Sequence, residues 1–395
     1  MTATRTRILA ALAAGGTAAA LVLAPGTSAQ AAAASLTINV GSGGAVHGFV
    51  LEGMRFGAPD AISVHRGDTL TFNFQGFHTA TLIPKGVGAD DWRMDHTGPG
   101  GDYSLIQSDA DDPQPAFELN KAVLFPSSQN CGTAAAPCSY NGASVVNSGV
   151  PLGAPTFSVT VDATPGSTFW VLCIVHSMMQ MRVNVVPDGT ATTTQAQITA
   201  SESATNAQQR EEAAAIINRL QKPTHHKTAS GHVVWDAYAG YDGDGWGLDG
   251  MFPTTLRIHK GNTVRWHFAQ LQGNVHTVTF PRSTAIDLAD KDFAGQNVVC
   301  ESATGDTPAD APPPSFCSSG PQNAEFAIRS IGILPQGGHT YLGKKTGLRS
   351  SGVRGPDGLS TLPYDLKFKK LSPKKGFRYA CAVHGAMMSG RVIVG

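Results

Sequence analysis

The chain has 395 residues, of which 41% are apolar and 15% charged, with a formal charge of zero from 29 basic and 29 acidic side chains. That length exceeds one ordinary domain, the apolar share excludes wholesale disorder, and the charge balance argues against a nucleic-acid binder. The 45 Gly and 24 Pro favour short strands joined by turns, and six cysteines are too few for a cysteine-dense scaffold.

Arg5 and Arg7 precede an apolar stretch from Ile8 to Ala24, and Ala29-Gln30-Ala31 offers a small-x-small cleavage site. Residues 1–31 therefore read as a secretory signal peptide, cleaved near Ala31. The protein is expected to be exported, to the extracellular or periplasmic side, where disulfides persist. No later run is long enough to span a bilayer.

The next segment, residues 32–188, holds Leu51-Glu52-Gly53-Met54, then Val64-His65-Arg66-Gly67-Asp68, then a single His in Phe77-His78-Thr79. After a Gly/Pro-rich region it closes on Phe169-Trp170-Val171-Leu172-Cys173-Ile174-Val175-His176. Residues 189–224 form a polar linker. Ala213, Ile216, Ile217 and Leu220 have helical spacing, so a flexible lead and one short helix from Asn206 to Gln221, stopped by Pro223, are expected. Residues 225–395 then repeat the first pattern in order: Leu248-Asp249-Gly250-Met251, Ile258-His259-Lys260-Gly261-Asn262, Val275-His276-Thr277 and Phe377-Arg378-Tyr379-Ala380-Cys381-Ala382-Val383-His384. The rest is short alternating runs such as Thr69–Phe74 and Phe157–Val161, bounded by Gly, Pro and Asp. Two tandem all-β Greek-key sandwiches, each a copy of one unit, are the expected fold.

Each copy carries the donor set of a copper electron-transfer site: one thiolate, two imidazoles and a weak axial thioether. The first offers His78, Cys173, His176 and Met179; the second offers His276, Cys381, His384 and Met388. One Cys-x2-His would be weak evidence, but two copies, each with an upstream His and a downstream Met, are specific. In this the chain resembles the cupredoxin family, of the plastocyanin and amicyanin type. The first copy has the amicyanin spacing, and the second is one residue longer between His and Met. The resemblance implies one type 1 blue copper per domain, with His176 and His384 nearest the surface. Met179 and Met388 each lie three residues before the Arg that opens the next strand, which selects them as axial ligands. Met387 and Met181 remain alternatives by spacing. Thr79 and Thr277 stand where the family often has an Asn that braces the Cys loop, a bond a Thr hydroxyl can also make.

His65 and His259 recur without a Cys partner and are assigned to structure, while the other histidines, among them His232 and His267, do not recur. With Cys173 and Cys381 taken as ligands, Cys131–Cys138 and Cys300–Cys317 are expected to form local disulfides. Asp242-Gly243-Asp244-Gly245-Trp246 lacks the later ligand positions of a calcium loop and reads as a turn; Asp109, Asp111 and Asp112 read as a solvated loop. No His-x-His pair or His-Cys-His segment, as in multicopper oxidases, occurs. The expected function is electron transfer between a donor and an acceptor, both unidentified proteins, rather than catalysis. Copper storage or delivery is the alternative, with an oxidase using an interdomain site less favoured. Residues 32–190 hold 6 basic and 13 acidic residues and residues 191–395 hold 21 and 16, so the neutral total hides two opposed halves.

Overall fold

The computed structural model describes residues 33–98, 100–108, 117–128, 130–150, 155–293, 298–300, 324–328, 334–343, 346–356 and 359–395. Residues 1–31, the Asp109–Asp112 cluster and the Cys300–Cys317 pairing lie outside the described residues.

The alternating runs form strands because every second side chain can be buried. In Thr69–Phe74 the inward set is Leu70, Phe72 and Phe74. One sandwich has a four-stranded sheet ordered Ser35–Val40, Thr69–Phe74, Thr156–Val161, Cys138–Tyr140. Its other sheet is ordered Val146–Asn147, Thr81–Leu82, Thr168–Leu172, Gln180–Val185, Ala61–Val64. In the second sandwich the corresponding strands follow the same orders. One sheet runs Val233–Gly243, Thr263–His267, Tyr364–Phe368, Thr340–Tyr341; the other runs Arg349–Ser350, Thr279–Phe280, Phe377–Cys381, Gly385–Val394, Thr255–Ile258. Each core draws on both of its sheets: Ile38, Phe72, Val159, Val171 and Val183 in the first, and Trp266, Leu366, Phe280, Tyr379 and Val392 in the second. The all-β, two-sandwich architecture is as expected, as is the Cys131–Cys138 disulfide, with sulfurs 2.04 Å apart.

The halves are more interwoven than tandem units need be. The hairpin Gly44–Val46/Phe49–Gly53 leaves the first sandwich and adds to the second: Phe49–Gly53 pairs antiparallel with Trp246–Phe252, Leu51 opposite Leu248. A separate sheet joins Ile106–Ser108 and Phe117–Leu119 to Ala324–Ile328 and Val298–Cys300.

The expectation of a short helix in the linker is corrected. The helix spans Gln195–Leu220, 26 residues, starting with a capping box in which Thr194 and Gln197 satisfy each other's backbone. Thr199, Ser201, Ser203 and Thr205 are poor helix formers, which made the first half read as flexible. Tertiary contacts override that propensity. Ile198 enters the first core, while Ala213, Ile217 and Leu220 pack with Trp246, Leu248 and Phe252. Asn39 donates to the Glu202 carboxylate at 2.9 and 3.0 Å, and Arg210 donates to the Gly43 carbonyl at 2.8 Å. Among the described residues, no helix is long and apolar enough to cross a membrane.

Candidate metal centres

His78 precedes the Thr81–Leu82 strand, Cys173 follows the adjacent Thr168–Leu172 strand, and the 173–179 loop returns His176 toward both. The three side chains are buried. Cys173 Sγ lies 3.9 Å from His78 Nδ1 and 3.6 Å from His176 Nδ1, and the rings are 4.6 Å apart. The second sandwich assembles His276, Cys381 and His384 in the same way. Cys381 Sγ is 3.5 Å from His384 Nδ1, the two Nδ1 atoms are 3.1 Å apart, and the rings 4.8 Å. These trios are the groups of three or more metal-capable side chains among the described residues. Metal–nitrogen bonds of about 2.0 Å and metal–sulfur bonds of about 2.3 Å let one ion reach all three donors. A buried thiolate with two imidazoles is a soft, nitrogen-rich set that fits copper. Met179 and Met388 are fully buried in the same cores as their cysteines, whereas Met178 and Met387 are 58% and 62% exposed. Met181 is also buried, on the strand that follows.

Backbone and hydroxyl groups hold each sulfur. The Thr79 N–H points at Cys173 Sγ (3.4 Å), and the Thr277 N–H points at Cys381 Sγ (3.3 Å). Thr79 Oγ1 accepts from the Ile174 N–H at 2.9 Å and Thr277 Oγ1 from the Ala382 N–H at 2.6 Å, the brace expected from the sequence. Thr81 donates to Asn147 Oδ1 and in turn accepts from Thr79, so the chain of hydroxyls has one direction. In the second sandwich the chain runs Thr277, Thr279, Ser350. Ser148 and Ser351 accept from the Ala80 and Val278 N–H groups.

Several contributors escaped the sequence reading. Arg93 donates to the carbonyls of Cys173 (3.0 Å) and Met179 (2.9 Å), closing both ends of the first ligand loop. Gly41 and Gly240, both at φ +76°, press backbone against the imidazoles: a Cβ there would sit 2.0 Å from His78 Nε2 and 2.1 Å from His276 Nε2. Glu52 Oε1 lies 3.7 Å from His78 Nε2 and 3.6 Å from His176 Nε2, and Asp249 Oδ1 lies 3.9 Å from His384 Nε2. The matched Leu-Glu-Gly-Met and Leu-Asp-Gly-Met segments were the available signal for these two carboxylates.

The surface position expected for His176 is corrected. Its side chain is 5% exposed, covered by residues 272–274 of the second sandwich, whereas that of His384 is 19% exposed. Asp242, expected in a simple turn, anchors that cover: its Oδ2 accepts from the N–H groups of Gln272, Gly273 and Asn274 at 2.8, 2.9 and 2.9 Å. His65 and His259 sit on matched turns, capped by Asp68 and Asn262. His267 pairs with Asp236 at 2.8 Å, and His232 faces the Thr263 hydroxyl.

The charges of the two sites differ. Burial pushes the Cys173 thiol up and lowers His78 to about 4 and His176 well below the usual range. At the second site burial opposes both charges, but Asp249, Cys381 and Glu52 hold His384 at about 10, and His384 in turn lowers Cys381. Burial and the Asp249 carboxylate raise Glu52 to about 8.

No protein-family model matches the sequence, and a comparison with curated protein sequences finds no match. Comparison with solved structures finds similarity to the blue copper protein auracyanin A from Chloroflexus aurantiacus, at 17% identity and a TM-score of 0.18, over 38% of this chain and 97% of that one. It also finds a copper nitrite reductase from Nitrosomonas europaea, at 12% identity and a TM-score of 0.17, over 92% and 94%. A blue copper oxidase from the same organism has 11% identity and a TM-score of 0.17, over 85% and 86%.

Proposed function

We propose that this protein is an exported two-domain blue copper protein of the cupredoxin kind, with one type 1 copper in each sandwich, that carries electrons between protein partners. His78, Cys173, His176 and Met179 hold the first ion, and His276, Cys381, His384 and Met388 the second. The observation that carries the reading is the Nδ1, Nδ1, Sγ trio formed twice, fully buried in the first sandwich and buried except for His384 in the second. Bound copper supplies a one-electron couple. The chain supplies a rigid, water-poor cage in which the ligands need not rearrange when the charge changes. Burial of Met179 and Met388 favours them over the exposed Met178 and Met387 as axial donors. The Cys131–Cys138 disulfide supports export.

Copper-loaded protein should hold two coppers, absorb intensely in the visible, and show a reversible couple at each centre. Cys173→Ser and Cys381→Ser should each remove one copper and about half the colour. Colourless, Cu(I)-only binding would instead indicate storage or delivery, and tight binding of more than two coppers would indicate an oxidase.

A further inference from the structure

The excess of positive charge in the second half has a local source: residues 366–395 hold seven Lys and Arg and no Asp or Glu. Five lysines gather at one pole of the second sandwich. Lys369, Lys370, Lys374 and Lys375 lie in the turn between Tyr364–Phe368 and Phe377–Cys381. Lys260 lies on the neighbouring turn, where the Gly261 N–H donates to the Phe368 carbonyl at 2.7 Å. All five are exposed, and none has an ion-pair partner among the described residues. In their midst Leu371 is 57% exposed. The turn is pinned with Leu371 outward: the Ser372 N–H donates to the Val394 carbonyl at 3.1 Å, and Ser372 Oγ accepts from the Val394 N–H at 3.1 Å. On the adjoining sheet face Arg378 and Arg391 stand opposite each other on paired strands, both exposed, as is Arg257. The first sandwich has no counterpart. Its matched turn, residues 162–168, carries no lysine, Ala163 in it is fully buried, and Arg66, which stands where Lys260 does, pairs with Asp162 at 2.6 Å.

We infer that this pole is a docking surface for an anionic lipid bilayer, on which the protein lies peripherally. Lysines within a Debye length of an anionic leaflet are each drawn to it, and a cluster of about four to eight suffices for recognition. An apolar side chain ringed by lysines suits the boundary between headgroups and acyl chains. Leu371 enters that boundary, and the lysine stems run beside it with their ammonium groups on phosphate. An acidic protein fits this lysine-rich tip less well, because protein interfaces are depleted in Lys and enriched in Arg and aromatic residues. The Cys381–Met388 loop lies at the other end of Phe377–Cys381, roughly 13 Å along the strand. Contact at the pole therefore leaves the His384 end uncovered. The surface is independent of which metal the sandwich holds.

The test uses the chain lacking residues 1–31, which keeps every described strand and helix, and vesicles of phosphatidylcholine alone or mixed with phosphatidylglycerol. At low salt the protein should rise with the mixed vesicles in a density gradient, stay behind with phosphatidylcholine alone, and be released as salt is added. Lys369→Gln, Lys370→Gln, Lys374→Gln and Lys375→Gln combined should weaken binding roughly a hundredfold or more. Leu371→Ala should weaken it roughly tenfold, and Leu371→Trp should add an emission that shifts to shorter wavelength on the mixed vesicles. Arg66→Gln, at the matched pole of the first sandwich, should leave binding unchanged. No flotation with mixed vesicles, equal flotation with both kinds, or unchanged binding in the four-lysine variant overturns the proposal. Binding that soluble polyglutamate abolishes and Leu371→Ala leaves intact also overturns it, and assigns the pole to an acidic protein. Should the four-lysine variant fail to fold, Leu371→Ala must still weaken binding.

Discussion

The two centres share a ligand set and differ in nearly everything around it. At the first, Arg93 clamps both ends of a seven-residue loop and the downstream His is sealed under the other sandwich. At the second, the loop has one extra residue, absorbed at Gly385 with φ +62° and a register shift beside Cys381. Arg282 donates to the Ser389 hydroxyl, and His384 keeps solvent contact. Without metal, burial disfavours charge on the first trio, while at the second the Asp249 and Cys381 groups raise His384 to about 10 and His384 in turn lowers the Cys381 thiol. Identical donors thus sit in a closed, internal site and a more open one.

The sharpest way to break this comparison is at its most symmetric point. Gly41→Ala and Gly240→Ala each drive a Cβ into an imidazole at a left-handed backbone position. Each should abolish metal binding in its own half and spare the other, as read by copper content.

A smaller effect tests the shared carboxylate in metal-free protein. Glu52 faces His78 and His176 and feels Asp249, His384 and Asp242. Its folded value, about 8, lies above its ordinary 4.5, so the folded state holds the extra proton between those limits. Stability should therefore fall as pH rises from about 4.5 to 8, by a few kcal/mol at most, and Glu52→Gln should flatten that slope in denaturant titrations.

Next comes the loop clamp. Arg93→Ala loses two hydrogen bonds from a charged group and should cost about 3 kcal/mol, against about 1 kcal/mol for Arg282→Ala, which loses one to a hydroxyl. Equal losses in thermal unfolding would erase the distinction between loops. The smallest effect belongs to the exposed methionines: Met178→Leu and Met387→Leu should leave the visible spectrum unchanged, while Met179→Leu and Met388→Leu shift it.

Much of the site was legible in the sequence because metal chemistry constrains residue type and spacing. Cys-x2-His with a downstream Met occurs twice, and each Thr beside the upstream His makes the bond its position suggested. The supports were harder to read. Arg93, on the Ala89–His96 helix, and Asn147, on the Val146–Asn147 strand, reach the site from elsewhere in the chain, and no spacing connects them to Cys173. The 195–220 helix was underestimated because Ser and Thr lower its intrinsic propensity, whereas Ile198 and Glu202 find partners that exist only in the folded chain.

The sequence by itself determined which atoms can bind metal, because donor chemistry is a property of residue types and strand alternation places them in register. Only the tertiary structure decided which imidazole edge faces water. That depends on how the 44–53 hairpin and the 272–274 loop pack, and so on long-range burial that no local pattern encodes.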